Sequence, residues 1–199
     1  MSNHFDAIIL GAGQAGPSLA GRLTAAGQRV AFVERKLFGG TCVNTGCIPT
    51  KAMVASAYAA HMVRRASDFG VGIPGPVQVD MKAVKARKDA ISGKSRTSVE
   101  QWLRGMKNCT VFHEAGRFVG SHEVQAGAET LTADRIFINV GGRAVVPELP
   151  GIHDVPYLIN STIMELEEVP RHLVVVGGSY IGLEFAQMFR RFGSEVTIV

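Results

Sequence analysis

The sequence predicts an α/β fold: a parallel sheet flanked by helices, an antiparallel β-meander, and then the start of a second unit of the same design. Three observations carry this. An apolar run, Phe5–Leu10, ends at Gly11 and gives way to a helical pattern. The same strand–glycine–helix order returns 166 residues later, where Gly11 falls on Gly177, Gly16 on Gly182, Ala20 on Ala186, Gly27 on Gly193, Val30 on Val196 and Val33 on Val199. Between the two copies, long helical stretches are followed by several short β-type runs.

Phe5–Leu10 reads as a strand buried on both faces. Gln14–Ala26 carries Leu19, Ala20 and Leu23 at helical spacing and stops at Gly27. Arg29–Glu34 is a second strand, and residues 35–41 a loop. Thr50–Arg65 and Asp80–Arg104 are helical, with Asp80 as an N-cap, and Gly70–Pro76 is the turn between them. Short β runs follow at Thr110–His113, Arg117–Val119, Val124–Ala126 and Arg135–Val140. The parallel sheet is expected from residues 5–10, 29–34 and 135–140, and the meander from residues 110–132. Pro147–Pro156 is turn-rich and marks a crossover, after which Leu173–Val176 opens the second unit. The expected domains are 1–150 and 151–199. Val199 falls inside the second unit's second strand, so the chain is expected to be a fragment of something longer.

Composition narrows the function classes. Apolar residues make up 46% of the 199 and charged residues 19%, which excludes a disordered tail. Three cysteines are too few for a disulfide-stapled secreted scaffold. There is no apolar run of about 18 residues, so no membrane span is expected. The N-terminus lacks a basic segment and carries Asp6, so a cytoplasmic protein is the expectation. The net charge of +4 is concentrated in residues 61–107, where ten Lys/Arg face four Asp/Glu. Trp102 is the only aromatic among the charges of the basic helix, and no recognition motif accompanies them. A solvated helix face is therefore expected, and no nucleic-acid partner.

Two motifs point to a nucleotide. Gly11-Ala12-Gly13-Gln14-Ala15-Gly16 matches G-x-G-x-x-G between a strand and a helix, and Glu34 closes the next strand 18 residues after Gly16. Gly11 permits the tight turn, Gly13 lets the backbone approach a pyrophosphate at the helix N-terminus, and Gly16 lets helix and strand pack closely. Glu34 can accept hydrogen bonds from ribose hydroxyls. This is a Rossmann-type signature, and alone it does not choose between FAD and a nicotinamide dinucleotide. Gly177-Gly178-Ser179-Tyr180-Ile181-Gly182 is the second match, with Ser179 where the middle glycine should stand.

A third motif points to redox chemistry. Gly39-Gly40-Thr41-Cys42-Val43-Asn44-Thr45-Gly46-Cys47-Ile48-Pro49-Thr50-Lys51 holds two cysteines five positions apart. Zinc needs four ligands, and no second Cys/His pair stands at ligand spacing, so no metal site is expected. A redox pair fits better, because a thiolate at a helix N-terminus has a lowered pKa suited to exchange. Cys109 opens a β run by itself and reads as a small buried hydrophobe.

The Gly39–Lys51 block closely resembles the redox-active disulfide signature of the class I FAD-dependent pyridine nucleotide–disulfide oxidoreductases, which include glutathione reductase, dihydrolipoyl dehydrogenase and mercuric reductase. The resemblance runs over all 199 residues. It implies an FAD-binding domain at 1–150, lacking the family's third FAD segment, and the start of an NAD(P)H-binding domain at 151–199. It implies electron flow from NAD(P)H to FAD, to a Cys42–Cys47 disulfide, and on to a small-molecule, disulfide or metal-ion substrate. Cys47 would be the sulfur next to the flavin and Cys42 the one that exchanges with substrate. Lys51 would approach the flavin and pair with Glu184, and Tyr180 would gate the nicotinamide pocket.

The same resemblance assigns FAD contacts to Gly11, Gly13, Gln14, Ala15, Gly16, Glu34, Gly40 and Thr41, with Thr41 on the phosphates. Ala115, Gly116 and Phe118 resemble the segment that meets the adenine. Ile138-Asn139-Val140-Gly141-Gly142 resembles the Ala-Thr-Gly segment that closes over FAD, from which Asn139 and Val140 depart. Gly177, Ser179, Tyr180 and Gly182 would bind NAD(P)H. The family's dimerisation domain, which supplies the acid–base histidine, has no counterpart here, and none of the six histidines sits in a matching motif. The 199 residues are therefore expected to be inactive alone and the full-length protein a homodimer. The competing expectation is a truncated FAD- or nucleotide-binding module without turnover.

Overall fold

Strand β1 (Asn3–Leu10) is central to its sheet, because its residues 7–10 are buried and pair on both sides. The computed structural model describes residues 3–199. Its chain forms two compact units, one from the described residues up to Thr45 with Ser92–Val145, the other from Gly46–Ile91 with Val146–Val199.

In the first unit β1 lies between β2 (Val30–Val33) and β6 (Glu129–Ile138), parallel to both. The six-stranded order is β3-β2-β1-β6-β5-β4, with β3 at Cys109–Phe112, β4 at Gly116–Gly120 and β5 at Glu123–Ala126. Side chains alternate between two cores. Ile8, Leu10, Ala31 and Val33 join Val124 and Leu131 on one face. Ile9, Val30 and Phe32 join Ala20 of α1 (Ala15–Ala25), Phe38 and Leu103 on the other. Both faces of β2 are thus covered, as its uninterrupted VAFV run requires. Fully burying Phe32 contributes roughly 1.5–3 kcal/mol.

Three expectations need correction here. Cys109–Phe112 does not belong to the meander: it pairs parallel to β2, with Val30 opposite Cys109 and Val33 opposite Phe112. It follows the long helix α4 (Met81–Gly105), and a helical crossover delivers a strand in parallel. The meander is β4-β5-β6. The last strand starts at Glu129, not Arg135, because its first residues pair antiparallel with β5 while its length runs parallel to β1; it stops before Asn139. Residues 35–41 are not wholly loop, since helix α2 (Gly40–Asn44) begins there.

The second unit contains α3 (Cys47–Arg64), residues 81–91 of α4, and a two-stranded parallel sheet of β7 (His172–Val175) and β8 (Glu195–Ile198) bridged by α5 (Tyr180–Phe192). Helix α3 starts three residues earlier than expected. Pro49 lies in its first turn, where a missing N–H costs nothing and the helix can start ahead of it. Asp80 caps α4 as expected, accepting the Ala83 N–H at 3.0 Å. The core joins Phe185, Met188, Phe189 and Phe192 of α5 to Met53, Met81 and Met164. Arg64 closes the far end of α5 by donating to the carbonyls of Arg191 and Phe192.

One charged cluster ties α4 to the turn at Ile163–Glu165. Lys88 is only 3% exposed and bonds Asp89 at 2.6 Å and Glu165 at 2.7 Å; Lys85 reaches the same two carboxylates at 2.8 and 3.0 Å. Burial pushes both carboxyls up, but hydrogen bonds from the two lysines outweigh it and hold them below 3.8 and 4.5. The same bonds raise Lys85 above its ordinary 10.5. This is where part of the basic excess of residues 61–107 is spent. Among the described residues no helix is long and apolar enough to cross a membrane, and no group of three His, Cys, Asp or Glu could hold a metal ion.

Candidate functional site

The loop after β1 is shaped by a residue outside the glycine motif. Gly11 has φ +101°, and a Cβ there would lie 2.2 Å from the Asn139 carbonyl oxygen. A Cβ on Gly13 would lie 3.3 Å from Asn139 Nδ2, and one on Gly16 2.5 Å from the Gly11 oxygen and 2.9 Å from Asn139 Nδ2. All three glycines therefore make room for the loop's own closure against Asn139. Asn139 Nδ2 donates to the carbonyls of Gly11 at 3.0 Å and Gly13 at 3.3 Å. Its backbone N–H donates to Leu10 at 2.8 Å, continuing the β1–β6 ladder by one bond.

Glu34 meets the loop from the other side. Its Oε2 accepts the Ala12 N–H at 2.8 Å, and its Oε1 accepts the Lys36 N–H at 2.8 Å. The Gly11–Ala12 peptide is thus held at both ends, oxygen by Asn139 and N–H by Glu34. A carboxylate has about four acceptor positions, so two remain for a diol such as a ribose.

The cysteine block begins on the same loop. Gly40 has φ +59°, and a Cβ there would sit 2.6 Å from Gly13 Cα. Gly39 donates its N–H to the Ala12 carbonyl at 2.9 Å, and its own carbonyl accepts from Gln14 Nε2 at 3.3 Å. The start of α2 is therefore fastened to the glycine loop. Asn44 Nδ2 closes α2 by donating to Phe38 and Gly40 carbonyls, both at 2.9 Å, and its Oδ1 is buried without a protein partner. Thr41 is exposed on the first turn of α2, and Cys42 is half-buried beside it. Cys47 is exposed as the first residue of α3. Burial pushes the Cys109 thiol up to about 11, as suits a small half-buried hydrophobe.

The remaining expected positions fall as follows. Ala115 is exposed and precedes β4, and a Cβ on Gly116 would lie 3.0 Å from Leu10 Cδ2. Val140 is 69% exposed, and Gly141, at φ +68°, borders open space. Ala15 opens α1 directly after Gln14. In the second unit Gly177 has φ +98°, and a Cβ on Gly182 would lie 2.8 Å from the Gly177 oxygen. Ser179 is extended at the N-cap of α5 without a side-chain cap bond, and Tyr180, 80% exposed, is the first helical residue. Lys51 of α3 forms an ion pair with Glu184 of α5.

Asn139 and Asn44 are the site residues that spacing arguments missed. Asn139 carried a signal, a polar amide directly after an apolar strand, where the Ala-Thr-Gly segment of the resemblance has its alanine. Asn44 stands inside the cysteine block, and its bonds to the Phe38 and Gly40 carbonyls have no sequence spacing that marks them.

Comparison with known proteins places these features in context. The family model described as pyridine nucleotide-disulphide oxidoreductase matches residues 5–199. The probable pyridine nucleotide-disulfide oxidoreductase RclA of Escherichia coli (strain K12) is 38% identical, over 99% of this chain and 42% of its own length. A dihydrolipoyl dehydrogenase of Acholeplasma laidlawii is 34% identical, over 100% of this chain and 60% of its own. A mercuric reductase of Streptomyces lividans is 35% identical, over 98% and 42%. The solved structure of the HOCl-induced flavoprotein disulfide reductase RclA from Escherichia coli superposes with a TM-score of 0.83 at 36% identity, covering 97% of this chain and 41% of that one. The chain thus spans 42–60% of the length of these curated relatives.

Proposed function

Because the chain belongs to the pyridine nucleotide-disulphide oxidoreductase family, whose cofactors are FAD and NAD(P)H, we propose that it is the FAD- and disulfide-bearing part of a flavoprotein reductase of disulfides or metal ions. Residues 1–150 would hold FAD and residues 151–199 would begin the NAD(P)H-binding part. The observation that carries this is Gly40 seated on Gly13: the helix bearing Cys42 starts on the backbone of the dinucleotide loop. A redox cysteine anchored there is fixed relative to whatever the loop binds.

The fit to FAD rests on this chain's own atoms. The N-terminus of α1 follows a loop with no Cβ at Gly11, Gly13 or Gly16, which leaves the backbone open to a pyrophosphate. Glu34 has acceptor positions left for ribose hydroxyls. Gln14, Ala15, Gly40 and Thr41 border the same loop, and Ala115, Gly116, Val140 and Gly141 complete the expected contacts. The flavin, when bound, would relay an electron pair from NAD(P)H to the cysteines. Reduction of a Cys42–Cys47 disulfide by that pair and two protons yields two thiols. The Cys42 thiolate then attacks one sulfur of a disulfide substrate, expelling the other as a thiolate that takes up a proton. Cys47 next attacks the mixed disulfide, releasing the second substrate thiol and restoring the Cys42–Cys47 bond. Lys51, Glu184, Tyr180, Gly177, Ser179 and Gly182 would serve the nicotinamide side. A cytoplasmic location and a homodimeric whole protein belong to the same proposal, supported by the low cysteine count and the family.

The test is purification of the full-length protein. It should carry flavin and oxidise NAD(P)H with a disulfide or metal-ion acceptor, and Cys42→Ser or Cys47→Ser should remove disulfide reduction. A colourless protein that takes up no FAD would refute the proposal.

A further inference from the structure

We infer that Asn139 is a positioning residue for the dinucleotide loop, turning the Gly11 and Gly13 carbonyls away from the FAD pyrophosphate so that neither oxygen faces it and the Gly13–Gln14 peptide presents its N–H. This rests on the FAD site proposed above.

The geometry is specific to an amide. Both partners of Nδ2 are carbonyl oxygens, at 3.0 and 3.3 Å, so only the nitrogen end of the side chain can face them. That nitrogen has two hydrogens, one for each carbonyl. A hydroxyl has one, and a carboxylate has none. The Gly13 carbonyl is drawn inward a second time, by the Gly16 N–H at 3.0 Å. Glu34 pulls the opposite end of the Gly11–Ala12 peptide, so the peptide cannot rotate without losing one bond or the other. Steric closure adds to this, since the Asn139 carbonyl oxygen occupies the place of a Gly11 Cβ.

Electrostatics makes the orientation consequential. A pyrophosphate carries negative charge, and carbonyl oxygens turned toward it repel it while N–H groups attract it. A flexible glycine loop could present either end of its peptides. Asn139 removes that choice before ligand arrives. Its place, one residue past β6 and held by a backbone bond to Leu10, makes the amide part of the rigid sheet.

The test uses the full-length protein stripped of flavin and titrated with FAD, following loss of FAD fluorescence, for the wild type, Asn139→Asp, Asn139→Ser and Asn139→Leu. Asn139→Asp is the same size with the donor removed. Ionised, it repels both carbonyls; protonated, it donates one hydrogen bond. Its FAD dissociation constant at about pH 8 should exceed the wild type's by roughly ten- to a hundredfold, and the ratio should shrink several-fold on acidification to about pH 5, because two carbonyl oxygens facing the carboxyl favour its protonated form and raise it above the ordinary value of about 3.9. Asn139→Leu should bind weakly at both pH values, and Asn139→Ser should fall between Leu and wild type. An Asn139→Asp protein within twofold of wild type at about pH 8, or a ratio indifferent to pH, overturns the inference. If Asn139→Asp does not fold, Asn139→Ser decides: affinity equal to wild type overturns it. If the wild type itself takes up no FAD, the functional proposal fails, and thermal melting of the apoprotein still reads the clamp. There Asn139→Asp should melt below wild type by a margin that narrows in acid, and a constant margin counts against Asn139.

Discussion

Lys51 on α3 forms an ion pair with Glu184 on α5, 133 residues away in the chain. Both side chains reach solvent, Lys51 more than Glu184. Exposed pairs contribute about 0–1 kcal/mol, whereas burial of Phe185 and Phe189 from the same helix in the core contributes several times more. Stability therefore gives little reason for the pair. A double-mutant cycle with Lys51→Ala and Glu184→Ala, read by urea unfolding, should give a coupling below about 1 kcal/mol. A larger coupling would make the pair a structural strut and weaken its assignment to the cofactor.

The Lys85–Lys88–Asp89–Glu165 cluster predicts a two-sided pH dependence. The carboxyls of Asp89 and Glu165 are held below 3.8 and 4.5, so their stabilisation is present above those values and is lost as the pH falls through the lower folded values. Lys85 is raised above 10.5, so its share is present below that pH and is lost as the pH rises past it. Glu165→Ala leaves the buried Lys88 ammonium with one carboxylate and should cost about 1–3 kcal/mol near neutral pH. Lys88→Met removes the buried charge while Lys85 keeps both carboxylates partnered, and should cost less. Urea unfolding of the two variants across pH checks both claims. Equal costs would mean that burial of Lys88 carries no penalty.

The strands and the glycine loop were legible because each is a local pattern: an apolar run, a turn that only glycine allows, a helix-spaced row of leucines. What was not legible depends on pairing across the chain. Nothing within Cys109–Phe112 distinguishes a meander strand from a parallel edge strand; the crossover through α4 decides it. Glu129–Asp134 is too polar to read as strand, yet it bonds β5 and β1 at once. Helix α3 runs back through Pro49 to Cys47, because a proline in a first turn is permitted, and the apolar pattern from Thr50 onward does not mark that start. At the site, Glu34 was readable from its spacing, whereas its bond to Ala12 and the opposing bond from Asn139 follow only from the register of β6 beside β1.

Two glycines with similar backbone angles should respond differently to alanine. Gly40, at φ +59°, would place a Cβ 2.6 Å from Gly13 Cα, with backbone on both sides of the contact. Gly141, at φ +68°, faces open space. Gly141→Ala should cost only the left-handed penalty, about 1 kcal/mol. Gly40→Ala adds a backbone clash, so it should lower the melting temperature further and also weaken FAD retention by moving α2 off the loop. Equal effects of the two substitutions in thermal melts would mean that the Gly40 contact relaxes freely and does not anchor the Cys42 helix.

The division of labour between the cysteines gives the most specific prediction. Cys47 is the first residue of the 18-residue helix α3, where unpaired N–H groups and the helix dipole favour a thiolate. Cys42 lies within a helix of five residues, whose dipole is small. Of the two sulfurs, Cys47 is therefore the better standing thiolate and Cys42 the one to exchange with substrate. Cys42→Ser in the full-length flavoprotein should leave a thiolate at Cys47 and give a long-wavelength absorbance band without reductant. Cys47→Ser should show no band. Both variants should lose disulfide reduction while still passing electrons to small acceptors that take them directly from flavin. A band in the Cys47→Ser protein alone would reverse the assignment, and a band in neither would separate these cysteines from the flavin altogether.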